Sequence, residues 1–460
     1  MFWTKPGDED YDERRALFNA MIDKRPRLIA ACETPADVRA ALERARADDL
    51  EVAVRAGGHS VAGMSTNDDG LVIDVRPMQS IEVDTINRRV RVGAGVLWGE
   101  LDVATQTHGL ATTGGRVSTT GVTGFTIGGG SGWLDRRYGM ACDNLLAAEL
   151  VLADGTEVRA DAEHHPDLFW ALRGGGGNFG VVTSLELALH QVGPTVEAGI
   201  FAWPTASRGH EIARAYRDWA EGAPEELGSW LLMTTGPDED FVPDKLKGAP
   251  ISLVAAMWAG DPADGHEVMA PLRALDPPID LMEPRAYTEF QSMLDDVPGN
   301  RHYWSAEYHD SFPDDALDIL VRSALEAPSE LAQQIVFRWG GAVGRVAEED
   351  TPMTQRDAQW VTHPFAVWQE PLEDRANIEW VKQFRRDIAP YATGGVYLNF
   401  IGDEGEARIR QAYGEAKYDR LRQVKAAYDP DNVFRGNQNI APAAQSVGLA
   451  DTGHVEVRHT

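Results

Sequence analysis

Apolar residues recur with a helical period near the start of the chain. Thr34 suits an N-cap and Pro35 the first position of a helix that the pattern predicts over residues 34–47. Its apolar face comprises Val38, Ala41, Leu42 and Ala45. Short apolar runs predict strands at about 51–55, 71–75, 81–84 and 89–93. A further helix is predicted over 101–109, ending at Gly109.

The next segment combines strand patterns with a strong turn signal. Residues 147–153 and 156–159 read as strands joined by Asp154-Gly155, which predicts a β-hairpin. A short helix is predicted over 167–173 and a long strand over 181–189. The first domain therefore extends over residues 1–194, and Gly193-Pro194 marks its boundary.

Beyond residue 194 the pattern changes to longer amphipathic helices between apolar strands. The predicted helices are 205–221, 263–274, 313–326 and 372–389, and the predicted strands include 251–258, 334–339 and 395–400. This texture predicts a separate α+β domain over 195–402, built on an antiparallel sheet. After Gly405 come another helix and a turn-rich segment, which form a third piece over 403–442. Residues 443–460 are polar and aperiodic, so we expect them to be disordered.

Length, charge and cysteine content narrow the class of protein. A chain of 460 residues exceeds one compact core, which favours two domains. The net charge of −29 argues against nucleic acid or an anionic membrane surface as a partner. The sequence has no apolar run of membrane-spanning length and no signal-peptide pattern, so we expect a cytoplasmic protein. Two cysteines alone form neither a disulfide framework nor a zinc site.

Three glycine clusters indicate a large bound cofactor. Gly57 and Gly58 end an apolar strand and lead into His59, and further clusters occupy 128–132 and 174–180. Glycines allow positive φ and a close approach of the backbone, so such loops hold phosphates through main-chain N–H groups. We therefore predict a flat, phosphate-bearing cofactor, a flavin, with His59 as the reactive side chain of the first loop.

Two other patterns imitate sites that we do not expect. Residues 90–99 resemble a dinucleotide fingerprint, but the spacing is Gly-x-Gly-x-x-x-Gly and several strands precede it, so nicotinamide binding is the weaker alternative. His164 and His165 resemble a metal-binding pair only superficially. They read better as the lead-in to a helix that has Asp167 near its start, and we predict no metal.

Longer motifs surround the glycine clusters. They are Arg55-Ala-Gly-Gly-His-Ser60, Gly128-Gly-Gly-Ser-Gly-Trp-Leu-Asp-Arg-Arg-Tyr-Gly-Met-Ala-Cys-Asp-Asn-Leu145, the stretch 167–183, and Tyr428-Asp-Pro-Asp-Asn-Val-Phe-Arg435. Together they resemble the berberine bridge enzyme-like FAD-linked oxidases of the vanillyl-alcohol oxidase superfamily, over about residues 25–441. The resemblance implies a two-part PCMH-type FAD-binding domain, 1–194 completed by 403–442, with the α+β substrate domain 195–402 inserted. The flavin ring would lie at their junction.

The resemblance also assigns roles to single residues. His59 would carry FAD through a covalent bond to the 8α carbon of the flavin ring; the alternative is a loop residue hydrogen-bonded to phosphate. The other expected cofactor contacts are Arg55, Ala56, Gly57, Gly58, Ser60, Val61, Gly63, Thr120, Gly121, Thr123, Gly124, Gly128, Gly129, Gly130, Gly132, Gly180, Val182, Tyr397, Asn399, Asn437 and Gln438. Thr120 falls where the family places a residue that controls oxygen access, and its compact side chain favours an oxidase.

One departure from the family bears on the number of covalent links. Doubly linked members carry a cysteine in a Gly-x-Cys-Pro-Thr-x-Gly stretch, and the matching stretch 115–121 has Val117 at that position. Valine forms no thioether. Cys142 lies well beyond, where family members have a packing residue. We therefore predict one covalent link, through His59.

Tyr397 and Asn399 are the predicted catalytic residues. Both would lie on one face of the strand 395–400, where a family tyrosine takes the substrate proton while hydride moves to the flavin. The alternative is a buried tyrosine whose hydroxyl is satisfied within the protein. Residues 300–305 and 338–339 are candidates for the lining of the substrate pocket.

The resemblance implies an enzyme that acts on a small molecule. It would oxidise an alcohol, a sugar hydroxyl or an amine-bearing carbon, and O2 would reoxidise the flavin and yield H2O2. The alternatives are a dehydrogenase with another acceptor, a tailoring or cyclising enzyme of secondary metabolism, and a flavin-binding protein without turnover. The sequence does not predict the oligomeric state.

Overall fold

A mixed sheet near the N-terminus carries the first glycine loop. The structure, a computed structural model, describes residues 1–402 and 404–444. Strand Leu71–Asp74 pairs in parallel with Leu28–Ala31 on one side and Val52–Arg55 on the other, and Phe2–Thr4 adds an antiparallel edge. The predicted helix is confirmed as Pro35–Ala47. Its N-terminus is a capping box, because the Thr34 hydroxyl accepts from the Asp37 N–H and the Asp37 carboxylate accepts from the Thr34 N–H.

A second sheet is antiparallel and contains the predicted hairpin. Its strand order is Ile81–Asp84, Arg89–Gly93, Val181–Ala188, Leu145–Val151 and Glu157–Asp161. The hairpin turn has Gly155 at a φ of +88°, which explains the glycine after Asp154. The helix predicted over 101–109 begins earlier and is Trp98–Gln106, because the Glu100 carboxylate accepts the Leu97 N–H and caps the preceding turn.

Shorter elements complete the first domain. They are helices Tyr11–Arg15, Val122–Ile127, Asp135–Tyr138 and Pro166–Leu172, the 3-10 turn Ala141–Asn144, and the strand pair Leu110–Ala111 with His190–Gln191. Along the chain, the first glycine loop follows strand Val52–Arg55, the second follows helix Val122–Ile127, and the third connects helix Pro166–Leu172 with strand Val181–Ala188.

The middle of the chain builds the predicted antiparallel sheet. Within the described residues the main path of strands is Ile279–Asp280, Thr195–Pro204, Pro250–Trp258, Leu227–Thr235, Gln333–Arg338, Trp360–Trp368 and Arg301–Trp304, with Glu283–Ala286 and Glu307–His309 added beside it. Helices Thr205–Gly222, Pro262–Arg273, Asp314–Leu325 and Asp374–Ile388 match the four predicted ones. Short helices Tyr287–Gln291 and Ala342–Arg345 lie in the connections.

The two faces of this sheet have different partners. One face packs under the four long helices, where Leu231 of the sheet shares a hydrophobic cluster with the helix residues Tyr216 and Leu320. The other face packs against the first domain, where Trp230 and Phe337 share a hydrophobic core with residues of the second glycine region. The sheet therefore forms one wall of the junction between the domains.

The strand predicted over 395–400 is wrong. Tyr397 is extended, but Leu398–Phe400 is a 3-10 turn in which the Phe400 N–H donates to the Tyr397 carbonyl at 3.0 Å. The side chains of Tyr397 and Asn399 hydrogen-bond to the first domain, and these tertiary contacts prevail over the local alternation. Apolar alternation over so few residues does not distinguish a strand from an anchored turn.

The C-terminal segment returns to the first domain. The helix predicted after Gly405 is confirmed as Glu406–Tyr428, with a break at Gly414. Fully buried Lys425 pairs with Asp429 at 2.7 Å and donates to the Asn178 carbonyl at 2.7 Å. The Ile440 N–H donates to Asn178 Oδ1 at 3.0 Å, so the segment closes over the third glycine cluster. The predicted disordered tail lies outside the described residues from 445 onward.

None of the helices in the described ranges is long and apolar enough to cross a membrane. Nor do those ranges bring together three or more His, Cys, Asp or Glu side chains that could hold a metal ion.

A buried carboxyl group joins the two domains. Asp102, 3% exposed, accepts a hydrogen bond from Gln291 Nε2 at 3.0 Å, and the same amide donates to the Gly115 carbonyl. Burial raises the pKa of Asp102 to about 7. The folded protein therefore keeps this proton above the pH at which the unfolded chain loses it.

We expect Asp102→Asn to flatten the acid side of the stability profile. The stabilisation from the raised pKa of Asp102 is complete below the usual aspartate pKa of about 4 and is lost as pH rises to about 7. Relative to the variant, the wild-type free energy of unfolding should fall by about 1.4 kcal/mol per unit between about pH 5 and 6. Urea unfolding at a series of pH values measures this, and parallel profiles would exclude a buried, protonated Asp102.

Candidate active site

A cavity of about 670 Å³ lies at the junction of the two domains. Its first-domain wall includes the loop 56–61, the residues 115–117, 120 and 121, and the glycines 174–177. Its opposite wall comes from the central strands of the antiparallel sheet, with Trp230 and Phe365. One continuous space therefore connects the glycine loops with an aromatic surface.

The loop after strand Val52–Arg55 presents unused backbone donors to this cavity. None of the N–H groups from Gly57 to Val61 donates a hydrogen bond to any residue that the structure describes. Gly57 packs against the backbone of Gly121, where a Cβ would meet the Gly121 nitrogen at 2.3 Å. Consecutive free N–H groups held in a tight loop suit the anionic diphosphate of FAD.

The third glycine cluster and the C-terminal segment offer a second set of free groups. A Cβ at Gly177 would meet no atom within 4 Å, so the backbone there is open to a ligand. Asn437 Oδ1, Gln438 Oε1 and Thr123 Oγ1 are buried without a hydrogen-bond partner in the described chain. Unpaired buried acceptors and hydroxyls are costly unless a ligand or water satisfies them. The residues present therefore fit a large polar cofactor such as FAD.

His59 lies at the edge of the cavity, between Phe18 and the segment that carries Thr119 and Thr120. Its ring stacks on Phe18 with centroids 4.1 Å apart, and Nε2 lies 2.9 Å from Thr119 Oγ1. Nδ1 lies 3.5 Å from Thr120 Oγ1. Burial lowers the pKa of His59 to about 4, so the imidazole is neutral at physiological pH. A neutral ring with one nitrogen held by Thr119 is oriented for attack by the other.

Most predicted cofactor contacts lie on the cavity wall. These residues are Ala56, Gly57, Gly58, His59, Ser60, Val61, Thr120, Gly121, Thr123, Gly124, Gly128, Gly180, Val182, Asn399, Asn437 and Gln438. The wall does not include Arg55, Gly63, Gly129, Gly130, Gly132 and Tyr397.

The residues off the wall have packing roles instead. Arg55 is buried and donates to the carbonyls of Arg14 and Ala16, which fastens the N-terminal segment beside His59. A Cβ at Gly63 would meet Ile22, and a Cβ at Gly132 would come within 1.8 Å of the Gly114 carbonyl oxygen. Gly63 and Gly132 have no space for a side chain, because protein atoms approach them closely.

Tyr397 is placed behind the second glycine cluster. Its side chain is 0% exposed, and its hydroxyl accepts the N–H groups of Gly130 at 2.6 Å and Ser131 at 3.0 Å. The Asn399 amide donates to the same oxygen at 3.0 Å and to the Phe125 carbonyl. Burial raises the pKa of Tyr397. This placement does not support the direct proton abstraction that we predicted, because the hydroxyl faces backbone donors rather than the cavity.

Cys142 is not among the described residues that line the cavity. It is fully buried, its sulfur lies beside Asp143 and Arg356, and burial raises the pKa of the thiol to about 12. Val117, in contrast, lines the cavity. A protonated, enclosed thiol is a poor nucleophile.

The substrate side of the cavity is largely aromatic. Trp304, among the candidates at 300–305, lines it, whereas Arg338 and Trp339 do not. Our sequence reasoning missed Arg116, Trp230, His363 and Phe400 as wall residues. Period-two alternation from buried Phe365 along strand Trp360–Trp368 indicates the same face for His363, and Arg116 lies inside the stretch already compared with the family. No local sequence pattern indicates Trp230 or Phe400 as wall residues.

His363 is the polar group of the aromatic wall. Its Nδ1 lies 2.8 Å from the Ser305 carbonyl, so this nitrogen carries the proton, and its ring stacks on Phe400 at 4.2 Å. Burial lowers the pKa of His363 to about 3. The ring is therefore neutral, and its Nε2 is an acceptor for a substrate N–H or O–H.

Comparison with known proteins agrees with this architecture. Residues 26–161 match the FAD binding domain family, and residues 396–441 match the family described as berberine and berberine like. The chain is 30% identical over 457 residues to the uncharacterized FAD-linked oxidoreductase YgaK of Bacillus subtilis, with 96% of each chain covered. It is 30% identical over 463 residues to the (R)-6-hydroxynicotine oxidase of Paenarthrobacter nicotinovorans, covering 95% of this chain and 96% of that protein.

Solved structures share the whole fold. The crystal structure of 6-hydroxy-D-nicotine oxidase from Arthrobacter nicotinovorans aligns with a TM-score of 0.85 at 28% identity, covering 96% of this chain and 98% of that one. The xylooligosaccharide oxidase of Myceliophthora thermophila has the same fold, with a TM-score of 0.83 at 22% identity over 96% and 97% of the two chains. These matches confirm the predicted PCMH-type fold. The chain belongs to the berberine bridge enzyme-like family of FAD-linked oxidoreductases.

Proposed function

We propose that this protein is an FAD-linked oxidase that removes hydride from a carbon bearing a hydroxyl or amino group on a small, ring-containing molecule, with O2 as the final acceptor. The observation that carries this proposal is the single cavity that joins free backbone donors beside His59 to an aromatic wall. The similarity to the (R)-6-hydroxynicotine oxidase over nearly the whole chain supports an oxidase with a ring-containing substrate.

FAD, when bound, supplies the hydride acceptor and the site of reaction with oxygen. The N–H groups of 57–61 and the open backbone at Gly177 would hold its phosphates, and Asn437 and Gln438 would satisfy polar groups nearby. Trp230, Phe365 and Phe400 exclude water and orient the substrate ring by stacking. Thr120 lines the cavity beside His59, and its compact side chain supports access for a molecule as small as O2.

We further propose that His59 holds the flavin by one covalent bond. In the tautomer in which Nε2 donates to Thr119 Oγ1, Nδ1 carries the lone pair that would form the bond. The buried thiol of Cys142 and the side chain of Val117 support a single link.

We expect acid precipitation of the wild-type protein to leave the yellow colour in the pellet. His59→Ala should release all of its flavin into the supernatant, because His363, the other histidine among the described wall residues, belongs to the opposite wall. Mass spectrometry of the peptide that contains His59 should show the added mass of FAD. Cys142→Ala is the matched control and should keep its colour in the pellet. Colour released from the wild type would exclude the tether.

The reaction class is tested by anaerobic mixing with a panel of aromatic alcohols, aromatic amines and sugars. We expect a ring-bearing amine or alcohol to bleach the flavin faster than sugars do, because Trp230, Phe365 and Phe400 offer aromatic faces to a substrate ring. Rapid reoxidation on adding O2, with H2O2 formed, identifies an oxidase. Sluggish reoxidation would favour the alternative that we retain, a dehydrogenase.

A further inference from the structure

Arg116 is a buried cation that forms no ion pair with an acidic side chain of the described residues. It is 8% exposed, lines the cavity and lies directly over the Trp230 ring, with Trp133 and Phe337 about it at 4.8 and 5.3 Å. Its guanidinium forms no hydrogen bond or ion pair with any residue in the described ranges, and Nε is enclosed without a partner. Buried charges in proteins are normally paired, so this arrangement is costly without a further group.

The nearest carboxylate is already engaged. Asp135 interacts electrostatically with Arg116 but accepts hydrogen bonds from Ser131 Oγ at 2.6 Å and from Trp339 Nε1 at 3.2 Å. Burial lowers the pKa of Arg116, and an anion in contact with it would favour the charged form again. The missing partner therefore has to come from the cavity.

We infer that Arg116 binds a carboxylate of the substrate, so that the substrate is a ring-bearing acid whose ring stacks on the aromatic wall. The guanidinium is the one Lys or Arg group among the described residues on this wall. Its planar fork matches a carboxylate with two parallel hydrogen bonds, and the Trp230 face beneath it fixes its plane. This inference rests on the proposed function, because it assigns the substrate class of the same cavity.

The cavity wall also carries acidic side chains, which would favour a cationic ligand over an anionic one. Asp295, which accepts from the Ser118 N–H at 2.6 Å, and Asp296 belong to the cavity lining. Burial raises the pKa of Asp296 to about 7, so it is partly protonated at neutral pH. A cationic amine would use these carboxylates, whereas an anion would use Arg116.

The test compares three probes that share one ring: benzoate, benzamide and benzylamine. Binding to the purified full-length protein is measured by calorimetry and by quenching of tryptophan fluorescence, neither of which requires turnover. We expect benzoate to bind at least about 10-fold more tightly than either of the other two, because charged hydrogen bonds are involved. Arg116→Met should abolish this preference, and Arg116→Lys should retain part of it because the charge remains but the fork is lost.

Arg338→Met is the matched control. Arg338 also lies over a tryptophan, Trp360 at 5.4 Å, but it is absent from the cavity wall and donates to the Gln359 carbonyl. This variant should keep the benzoate preference of the wild type.

Three outcomes would overturn the inference: equal binding of benzoate and benzamide by the wild type, tighter binding of benzylamine, or an unchanged preference in Arg116→Met. The last outcome together with a shifted visible spectrum would mean that Arg116 faces the flavin instead. If Arg116→Met does not fold, the ratio of the benzoate and benzamide affinities in the wild type and in Arg116→Lys still tests the inference. Wild-type protein that contains no flavin yet prefers benzoate would refute the proposed function and leave only the binding of a carboxylate by Arg116 established.

Discussion

Gly132→Ala will destabilise the folded protein by roughly 4 kcal/mol or more, which for many domains abolishes soluble expression. A Cβ at this position would stand 1.8 Å from the Gly114 carbonyl oxygen and 2.9 Å from its carbon. Both obstructing atoms are backbone, so no side-chain rotation relieves the clash. The surroundings of Gly114 are tightly packed as well, since a Cβ at Gly114 would meet the Trp98 ring at 2.7 Å.

Two glycine variants serve as controls for this prediction. A Cβ at Gly222 or at Gly124 would meet no atom within 4 Å. Gly222→Ala should leave the melting temperature nearly unchanged. Gly124→Ala should also fold normally but reduce the flavin content, because Gly124 lines the cavity within a short helix. Thermal unfolding and the flavin-to-protein ratio distinguish a glycine required for packing from one required for the cofactor. A stable Gly132→Ala protein would show that the two loops do not pack this closely.

This contrast shows how far the glycine motifs could be read from the sequence. The second cluster was expected to contact the cofactor throughout, and Gly128 does line the cavity. Gly130 and Gly132 instead face Ala141 and Gly114. A glycine motif indicates that some other group approaches the backbone closely. Whether that group belongs to the cofactor or to the protein depends on how distant segments pack.

The same limit applies to the substrate side. Arg116 lies in a stretch that the family comparison singled out, yet its partner Trp230 belongs to another domain. The helices of that domain could be predicted because each carries a long amphipathic period, confirmed for Thr205–Gly222 and Asp374–Ile388. The cavity wall forms only when strands from separate parts of the chain pair. The local hydrophobic period of each strand does not predict which strands will pair.

Tyr397→Phe will lower the free energy of unfolding by about 2–4 kcal/mol, because the buried N–H groups of Gly130 and Ser131 both lose their acceptor. We expect only a modest effect on chemistry, a fall in the rate of flavin reduction of less than about 10-fold with an unchanged pH profile. Loss of a direct base would cost roughly 100-fold or more and would remove an ionisation from that profile. Urea unfolding and anaerobic stopped-flow reduction across a pH series measure the two effects separately.

Tyr216→Phe is the matched control for Tyr397→Phe. Tyr216 is equally buried, and its hydroxyl donates to the Ser229 carbonyl at 3.0 Å under the long helices, away from the cavity wall. Its removal takes away one buried hydrogen bond and should cost about 1 kcal/mol, with the reduction rate unchanged. If Tyr397→Phe proved as stable as this control but lost 100-fold in reduction, the phenol would have to reach the substrate, and the glycine loop would have to move during turnover. A destabilised variant with near-normal reduction would establish Tyr397 as the residue that holds the second glycine loop in place beside the cofactor.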